Sequence, residues 1–484
     1  MSEGAKLTVT IVQQRVRLTD PHDCTDAMDD LTNLRAVFDT LVRREGRGFV
    51  PGLAQSWSTT DATSWEFQLR PQVQFHDGTA CDADAVRQSL ERMARPDKGY
   101  TLGSPAVWRQ YLGDARIEVT GPLTLRVHLA QPMADLLDVL DQGFIISPGG
   151  MAARDGGQDH GWVGTGPYRL VQVEPDHIVA ERVENHFAGT APNAQVVWQA
   201  CPNPADRLAQ LLDGRAQVAS RLSPTDRGAV AGPAFTWMNS LSPVAIIYLL
   251  NVARGPLINA DLRRALSLAI DRNRLVADTL DGAARPLFGF VSPAHFGAAV
   301  DPDDPYDPDA ARALLMQAGY TDGLTLNVDC PTQLPDEAVK LTACLAEQLG
   351  QIGVSLDVKY HEDREAYAHQ VRRKEIGDMC VFDSSPLSTY RVLHEKIDGR
   401  VAGAWWEGYR NGRVEQMLDR ARQITDATAR SGLYQNIYRS LQDDPPWLTL
   451  YNPMVYTGLA GRHPDVQLPV DCVLDVARLP DLAS

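Results

Sequence analysis

Apolar residues in the first half of the chain recur at every second position. Trp65, Phe67 and Leu69 alternate with polar neighbours, as do Leu125, Val127 and Leu129, the period of a strand buried on one face. Between them, Asp82-Ala83-Asp84-Ala85-Val86 opens a predicted helix that runs to about Met93 and is closed by Pro96. Asp82 is placed to cap it, and the acidic first turn suits the helix dipole. Tyr168 to Val173 and Ile178 to Val183 predict two strands joined at Pro175-Asp176, and Leu208 to Leu212 a short helix stopping before Gly214.

Past about residue 245 the texture changes. Val244 to Leu250 is an apolar run suited to a buried strand. Asn259 is placed to cap a helix whose stripe is Leu262, Leu266, Ala269 and Ile270. Asp336 to Ile352 carries Ala338, Leu341, Leu345 and Leu349 on one side, stops at Gly353, and leads into the strand Val354, Leu356, Val358, Tyr360. Helix, glycine stop and strand in succession is the rhythm of an α/β layer. Further helices are expected over Val414 to Ile424 and Leu433 to Leu441, the latter ended by Pro445-Pro446. No internal repeat or low-complexity linker separates the halves, so β-strand crossings are expected at the junctions.

Composition bounds the rest. A chain of 484 residues exceeds the roughly 250–300 at which one core stops growing, so two or three domains are expected. With 44% hydrophobic and 22% charged residues it has the make-up of a soluble globular protein. A formal net charge of -16 opposes binding to phosphate backbones. The basic run Arg372-Arg373-Lys374 is followed at once by Glu375 and suits a solvated helix face, so nucleic acid is not an expected partner. Seven cysteines, Cys24, Cys81, Cys201, Cys330, Cys344, Cys380 and Cys472, are scattered without a C-x-x-C pair. Most are expected to be small core residues, with one disulfide left open. No segment approaches the ~18 apolar residues of a membrane span, and Met1 to Lys6 has no apolar leader core.

Catalytic signatures are missing. The chain has no phosphate loop, no H-E-x-x-H helix and no G-x-S-x-G elbow. Gly164-Thr165-Gly166 lacks a third glycine, and Pro167 removes an N–H that a phosphate cradle needs. His361, Glu362 and Asp363 are strand neighbours pointing to opposite faces, which disfavours a shared metal. His76, beside Asp77-Gly78, suits a turn. No enzyme, cofactor or metal site is expected.

Several stretches occur together and in order. Phe38-Asp39-Thr40-Leu41-Val42 precedes Val50-Pro51-Gly52-Leu53-Ala54-Gln55-Ser56-Trp57, then Trp65 to Arg70 and Val73-Gln74-Phe75-His76-Asp77-Gly78-Thr79. Gly164-Thr165-Gly166-Pro167-Tyr168 follows, then the run from Arg263 to Arg272, then Tyr306 to Leu315 with Ala318-Gly319-Tyr320. In this order, the chain from about residue 38 to 455 resembles the bacterial extracellular solute-binding proteins of family 5, the substrate-binding proteins of peptide/nickel-type ABC transporters. The resemblance implies a bilobal α/β fold of the periplasmic-binding-protein kind. Lobe I would hold residues 1–245 plus 456–484, with an extra subdomain at about 37–163, and lobe II residues 246–455. Strand crossings would act as a hinge that closes on a ligand. It also implies a periplasmic monomer that captures a peptide or small peptide-like organic solute and passes it to membrane permease subunits, without catalysis. The alternatives are a nickel or metallophore receptor using the histidines, and a hydrolase on the same scaffold.

The resemblance directs attention to particular residues. Asp383, in Val381-Phe382-Asp383-Ser384-Ser385-Pro386, stands where peptide binders of that family end a strand in an acid that pairs with the ligand's α-amino group. A desolvated carboxylate needs such a cation. The second acid of the peptide binders' pattern is absent here, and Asp before Ser and Pro is also good turn chemistry. Trp405 and Trp406, in a Gly-flanked loop, offer aromatic faces of which one is expected to meet ligand. Tyr248 and Asn251 lie near the implied lobe crossing. Asp23, Cys24 and Thr25 form a further candidate set near the start of the first lobe. Arg372 or Arg391 is a candidate to receive a ligand carboxylate in a two-pronged contact.

Overall fold

The computed structural model describes residues 8–23, 25–99, 107–158, 161–230, 232–299, 302–333, 335–401 and 408–482. They fall into two compact units, one comprising the chain up to Ser240 and from Val455 onward, the other Leu241–Met454. The chain therefore passes between the units twice.

The first unit opens with β1 (Thr8–Gln13) and α1 (Met28–Val37). An antiparallel four-stranded sheet follows, made of β2 (Ala54–Thr59), β3 (Ser64–Leu69), β4 (Arg116–Gly121) and β5 (Thr124–His128) in the order β2-β3-β5-β4. In β3 the alternation is realised, with Trp65, Phe67 and Leu69 buried and their neighbours half-buried. Helix α2 (Ala83–Met93) packs on this sheet, and Asp82 caps it by accepting from the Ala85 N–H at 3.0 Å. The main sheet adds β6 (Tyr168–Val173), β7 (His177–Arg182) and β8 (Gln195–Ala200), then β9 (Val218–Ala219) after helix α3 (Pro204–Leu212). Its order is β6-β7-β8-β1-β9, with the last residues of the long strand Trp447–Ala460 paired to β9. Strand β1 runs parallel to both β8 and β9, so three strands end at one edge.

The second unit is built on β10 (Ala245–Leu250), whose six residues are all buried. A strand covered on both faces reads as a continuous apolar run rather than an alternation. Helices α4 (Ala260–Leu268) and α5 (Arg272–Leu280) follow, then β11 (Leu324–Pro331), α6 (Ala338–Gly350) and β12 (Val354–His361). Next come α7 (Arg364–Arg372), β13 (Met379–Ser384), α8 (Thr389–Lys396) and α9 (Ala427–Asp443). The sheet order is β12-β11-β13-β10, continued by the first part of Trp447–Ala460. Strands β11, β12 and β13 are parallel, and β10 is antiparallel to β13.

Asn259 caps α4 as its sequence predicts, accepting from the Asp261 N–H at 2.9 Å. Helix α9 begins six residues before the predicted Leu433 because Asp426 caps it, accepting from the Ala429 N–H at 2.8 Å. Its polar first turns carry no apolar period to read. The six described cysteines are all free thiols, and five of them are buried.

Candidate ligand site

In open α/β sheets the loops leaving the carboxyl ends of parallel strands converge, and ligands bind there. Each unit has such an edge.

In the first unit the edge is organised by Arg207 on α3. Its buried guanidinium donates to four backbone carbonyls: Cys201 at 2.6 Å and Pro202 at 2.9 Å beyond β8, and Ser220 and Arg221 at 2.8 Å each beyond β9. These bonds fix a turn in which Arg221 takes a left-handed backbone, φ 51°, a conformation that costs a side-chain-bearing residue roughly 1–2 kcal/mol. The turn closes a cavity of about 20 Å³ lined by Gln13, Asp29, Thr32, Ser220, Arg221 and Cys472 among others. Ser220 Oγ and Arg221 Nε are shielded from solvent there without a hydrogen-bond partner among the described residues. Arg221 donates from NH1 to Gln14 Oε1 at 3.2 Å. Burial raises the Asp29 carboxyl above its ordinary pKa, against the lowering pull of Arg221 and Arg15.

The segment leading into α1 carries Asp23 and Thr25. Thr25 is buried, donates to Asp30 Oδ2 at 3.1 Å and accepts from the Ala27 N–H at 3.2 Å, so it closes the entry to α1. Asp23 is half-buried, and burial together with the nearby Asp20 pushes its carboxyl up to about 6. Behind it stands a buried polar cluster. Arg92 donates to Asp20 at 2.7 and 3.0 Å, to Asp155 at 2.8 Å and to His22 Nδ1 at 2.8 Å, while Lys98 donates to Asp20 at 3.0 Å.

In the second unit the edge lies where β11, β12 and β13 end. Asp383 is the penultimate residue of β13, with its side chain 28% exposed. The Ser385 hydroxyl donates to its Oδ2. Arg364, the first residue of α7, approaches its Oδ1 at 4.0 Å, and the guanidinium lies 5.4 Å from the Phe382 ring centroid and 5.6 Å from that of Tyr367. Asp383 is thus a partly solvated carboxylate with a loosely held cation beside it.

Other candidates fall elsewhere. Tyr248 is a core residue: it is fully buried and its hydroxyl pairs with Thr342 Oγ1 at 2.7 Å. Asn251 is a turn residue, donating to the Gly377 carbonyl at 3.0 Å and accepting from the Ala253 N–H at 3.3 Å. It follows the far end of β10, whose first residue, Ala245, pairs with Ser384; six residues of strand separate it from Asp383's edge by about 20 Å. Arg391 is buried in α8 and donates to Glu395 at 2.9 Å, so its charge is already met. Arg372 ends α7, about 12 Å along the helix from Arg364, where a cation suits the helix dipole. Cys24, Trp405 and Trp406 lie outside the described residues.

His361 Nε2 donates to Asp329 Oδ1 at 2.6 Å across the β11–β12 pair. Among the described residues no three His, Cys, Asp or Glu side chains gather as metal ligands. A separate cavity of about 610 Å³ in the second unit lies between α9 and residues 285–299, lined by Leu287, Phe290 and Tyr438 among others. It shares no lining residue with the edge that carries Asp383.

The family model of the bacterial extracellular solute-binding proteins, family 5, matches residues 48–388, more than half of the chain. The chain belongs to this family. It is 27% identical over 482 residues to a glutathione-binding protein, GsiB, of Salmonella paratyphi A, covering 95% of this chain and 91% of that one. Among solved structures, the ABC transporter substrate-binding protein CtaP of Listeria monocytogenes superposes with a TM-score of 0.83 at 19% identity, covering 98% of this chain and 99% of that one. The periplasmic binding protein DppA of Helicobacter pylori, in complex with the peptide STSA, superposes with a TM-score of 0.76 at 21% identity, covering 94% of each chain. These structures share the bilobal α/β fold of family 5.

The family's sequence motifs serve the scaffold in this chain. Gly164 and Gly166 pass so close to α1 that an added Cβ would lie 2.2 Å from the Val37 carbonyl oxygen and 2.5 Å from the Val37 carbonyl carbon, respectively. His76 locks the same loop, its N–H on the Gly164 carbonyl and its Nε2 on that of Gly166, both at 2.9 Å. Arg263 and Arg272 are buried staples on backbone carbonyls, including Leu257 at 2.7 Å, Pro445 at 2.9 Å and Thr449 at 2.7 Å. What sequence reasoning missed is the machinery at the strand edges. Arg364 follows a helix cap without any pattern to mark it, and Ser220-Arg221 follow a strand of only two residues, too short for a period.

Proposed function

We propose that this chain is the receptor of an ABC importer, a periplasmic monomer that captures a peptide or small peptide-like solute and delivers it to permease subunits without chemical change. The two passages of the chain between the units, at Ser240–Leu241 and within the strand Trp447–Ala460, would be the hinge of closure. The observation that carries the reading is Asp383: a carboxylate at the end of a parallel strand, met among the described residues by Ser385 and by Arg364 at 4.0 Å. An ammonium group would complete its hydrogen bonding as the site loses water. The relatives add support, one being named for binding glutathione and another solved with a peptide.

Native mass spectrometry of the purified chain, followed by a melting screen with glutathione, dipeptides and tripeptides, tests this. One ligand should bind and raise Tm, by RT ln(1 + [L]/Kd) in free energy. A ligand recovered in altered form would favour an enzyme, and no shift from any of these compounds would overturn the reading.

A further inference from the structure

We propose that the cavity of about 610 Å³ between α9 and residues 285–299 is a second ligand site, taking a small organic anion with an apolar body, of the aryl or alkyl carboxylate kind. Every described residue that lines it belongs to the second unit, and none belongs to the edge that carries Asp383. The site therefore stands apart from the one that captures the solute, and it does not depend on the receptor reading.

The space is held open by its own walls. A packed interior leaves few voids larger than a water molecule, whereas pockets for small ligands run from roughly 300 to 1,000 Å³. The Leu287 N–H donates to the Leu450 carbonyl at 2.9 Å, and the Thr449 hydroxyl donates to the Leu287 carbonyl at 3.3 Å. Gln442 Nε2, from α9, donates to the Phe288 carbonyl at 2.7 Å. Phe290 stacks on Trp447 and on Tyr438, with ring centroids 4.6 and 6.0 Å apart. Farther along, His295 Nε2 donates to the Pro386 carbonyl at 2.8 Å and the Thr389 hydroxyl to the Phe296 carbonyl at 2.7 Å. Tied at both ends, the segment cannot fold down onto α9 without losing these bonds.

The lining sets the ligand's chemistry. Leu287, Phe290 and Tyr438 are buried and present an apolar interior. The exposed lining residues are Asn273, Arg285 and Arg439, which mark the mouth. The Asn273 amide is taken by Asp304 at 3.0 Å. Arg439 spends Nε and NH2 on its own helix, on the Gln435 carbonyl at 3.4 Å and Asn436 Oδ1 at 2.7 Å, and meets no carboxylate among the described residues. Among those residues no acid lines the cavity. On a strongly acidic chain, two cations from two elements, the strand Ala284–Pro286 and α9, thus border one apolar space. An anionic head pairs with guanidinium at the mouth while its apolar body fills the interior; a cation is repelled.

The test uses the purified full chain and two probes of similar shape, 4-phenylbutyrate and 4-phenylbutanamide, titrated by calorimetry at low salt. The wild type should bind one phenylbutyrate per chain with a Kd of about 1 mM or lower. It should prefer the acid to the amide about five-fold or more, the worth of two partly solvated ion pairs. Arg285→Gln with Arg439→Gln should bring the two probes level and leave the Tm of the unliganded chain unchanged, since both side chains are exposed. Should that double variant fail to fold, Gln435→Glu serves in its place: an acid added to the lining should weaken phenylbutyrate and spare the amide. Arg364→Gln should bind phenylbutyrate as the wild type does. No saturable binding, equal affinity of the wild type for the two probes, or an undiminished preference in the lining variants would overturn the assignment. So would loss of binding in Arg364→Gln, which would move the anion to the edge beside Asp383. None of these outcomes bears on peptide capture, which the melting screen tests separately.

Discussion

Arg207 and Arg221 meet through a backbone carbonyl: the buried guanidinium of the first donates at 2.8 Å to the carbonyl oxygen of the second. The contact matters because Arg207 makes three more of the same kind, so one side chain ties the ends of β8 and β9 together. Lysine keeps the charge but cannot span four carbonyls in a plane. Arg207→Lys should therefore lower stability by about 2–4 kcal/mol, from carbonyls left buried without donors. Urea denaturation followed by circular dichroism measures it. A loss below about 0.5 kcal/mol would show that the turn holds itself.

Asp383 and Arg364 should behave in the opposite manner. At 4.0 Å and roughly a quarter exposed on both sides, the pair is worth under about 1 kcal/mol to the fold. Asp383→Asn should leave the denaturation midpoint nearly unchanged while weakening a cationic ligand ten-fold or more, the scale of a charge-assisted contact. Calorimetry on the ligand found by native mass spectrometry decides it. An affinity within two-fold of the wild type would remove Asp383 from the site.

The contrast between these residues marks what the chain discloses before it is folded. Asp82 and Asn259 were legible as caps because capping is local, and Phe67 and Leu125 as core because a strand's period is local. The two halves of Arg207's clamp are separated by about twenty residues of sequence, with the strand β1 between them in the sheet, so no pattern announces it. Tyr248 misleads for a related reason: a residue near a crossing between units can point into a core, and direction is set by strand register. Family resemblance led to Asp383, while the cation beside it comes from a helix start that looks like any other.

Gly166 gives a sharper test of the scaffold. A Cβ there would stand 2.7 Å from the carbonyl oxygens of both Ala36 and Val37, backbone atoms that cannot swing aside. Gly166→Ala should destabilise the first unit by about 2–3 kcal/mol, as overpacking against rigid neighbours does. The soluble yield and the denaturation midpoint of the variant check this, and a wild-type midpoint would mean α1 shifts freely.

The cluster before α1 sets the response to acid. His22 is fully buried, with Nδ1 accepting from Arg92 at 2.8 Å and Nε2 at 3.0 Å from the Phe144 carbonyl; burial, then Arg92, holds its pKa down to about 3. An unfolded histidine titrates near 6.5, so the unfolded chain takes up the proton first. This contribution is complete above pH 6.5 and is lost as pH falls toward 3, at up to ~1.4 kcal/mol per pH unit. Asp23 works against it. Its carboxyl, pushed up to about 6, holds a proton more tightly in the folded state. Its contribution is present below about pH 4 and lost as pH rises through 6. Between pH 6 and 4 the two terms offset each other, and below pH 4 the fall becomes steep as Asp20, kept low by Arg92 and by the His22 N–H despite its burial, is also protonated. Asp23→Asn removes the offset. The variant should be about 1 kcal/mol more stable at pH 7.5, a figure reduced for solvent screening of a half-exposed group, and should lose that lead by pH 4.5. Urea midpoints at pH 7.5, 6.5, 5.5 and 4.5 provide the comparison; parallel curves for the two proteins would show that Asp23 does not titrate in the folded state over this range.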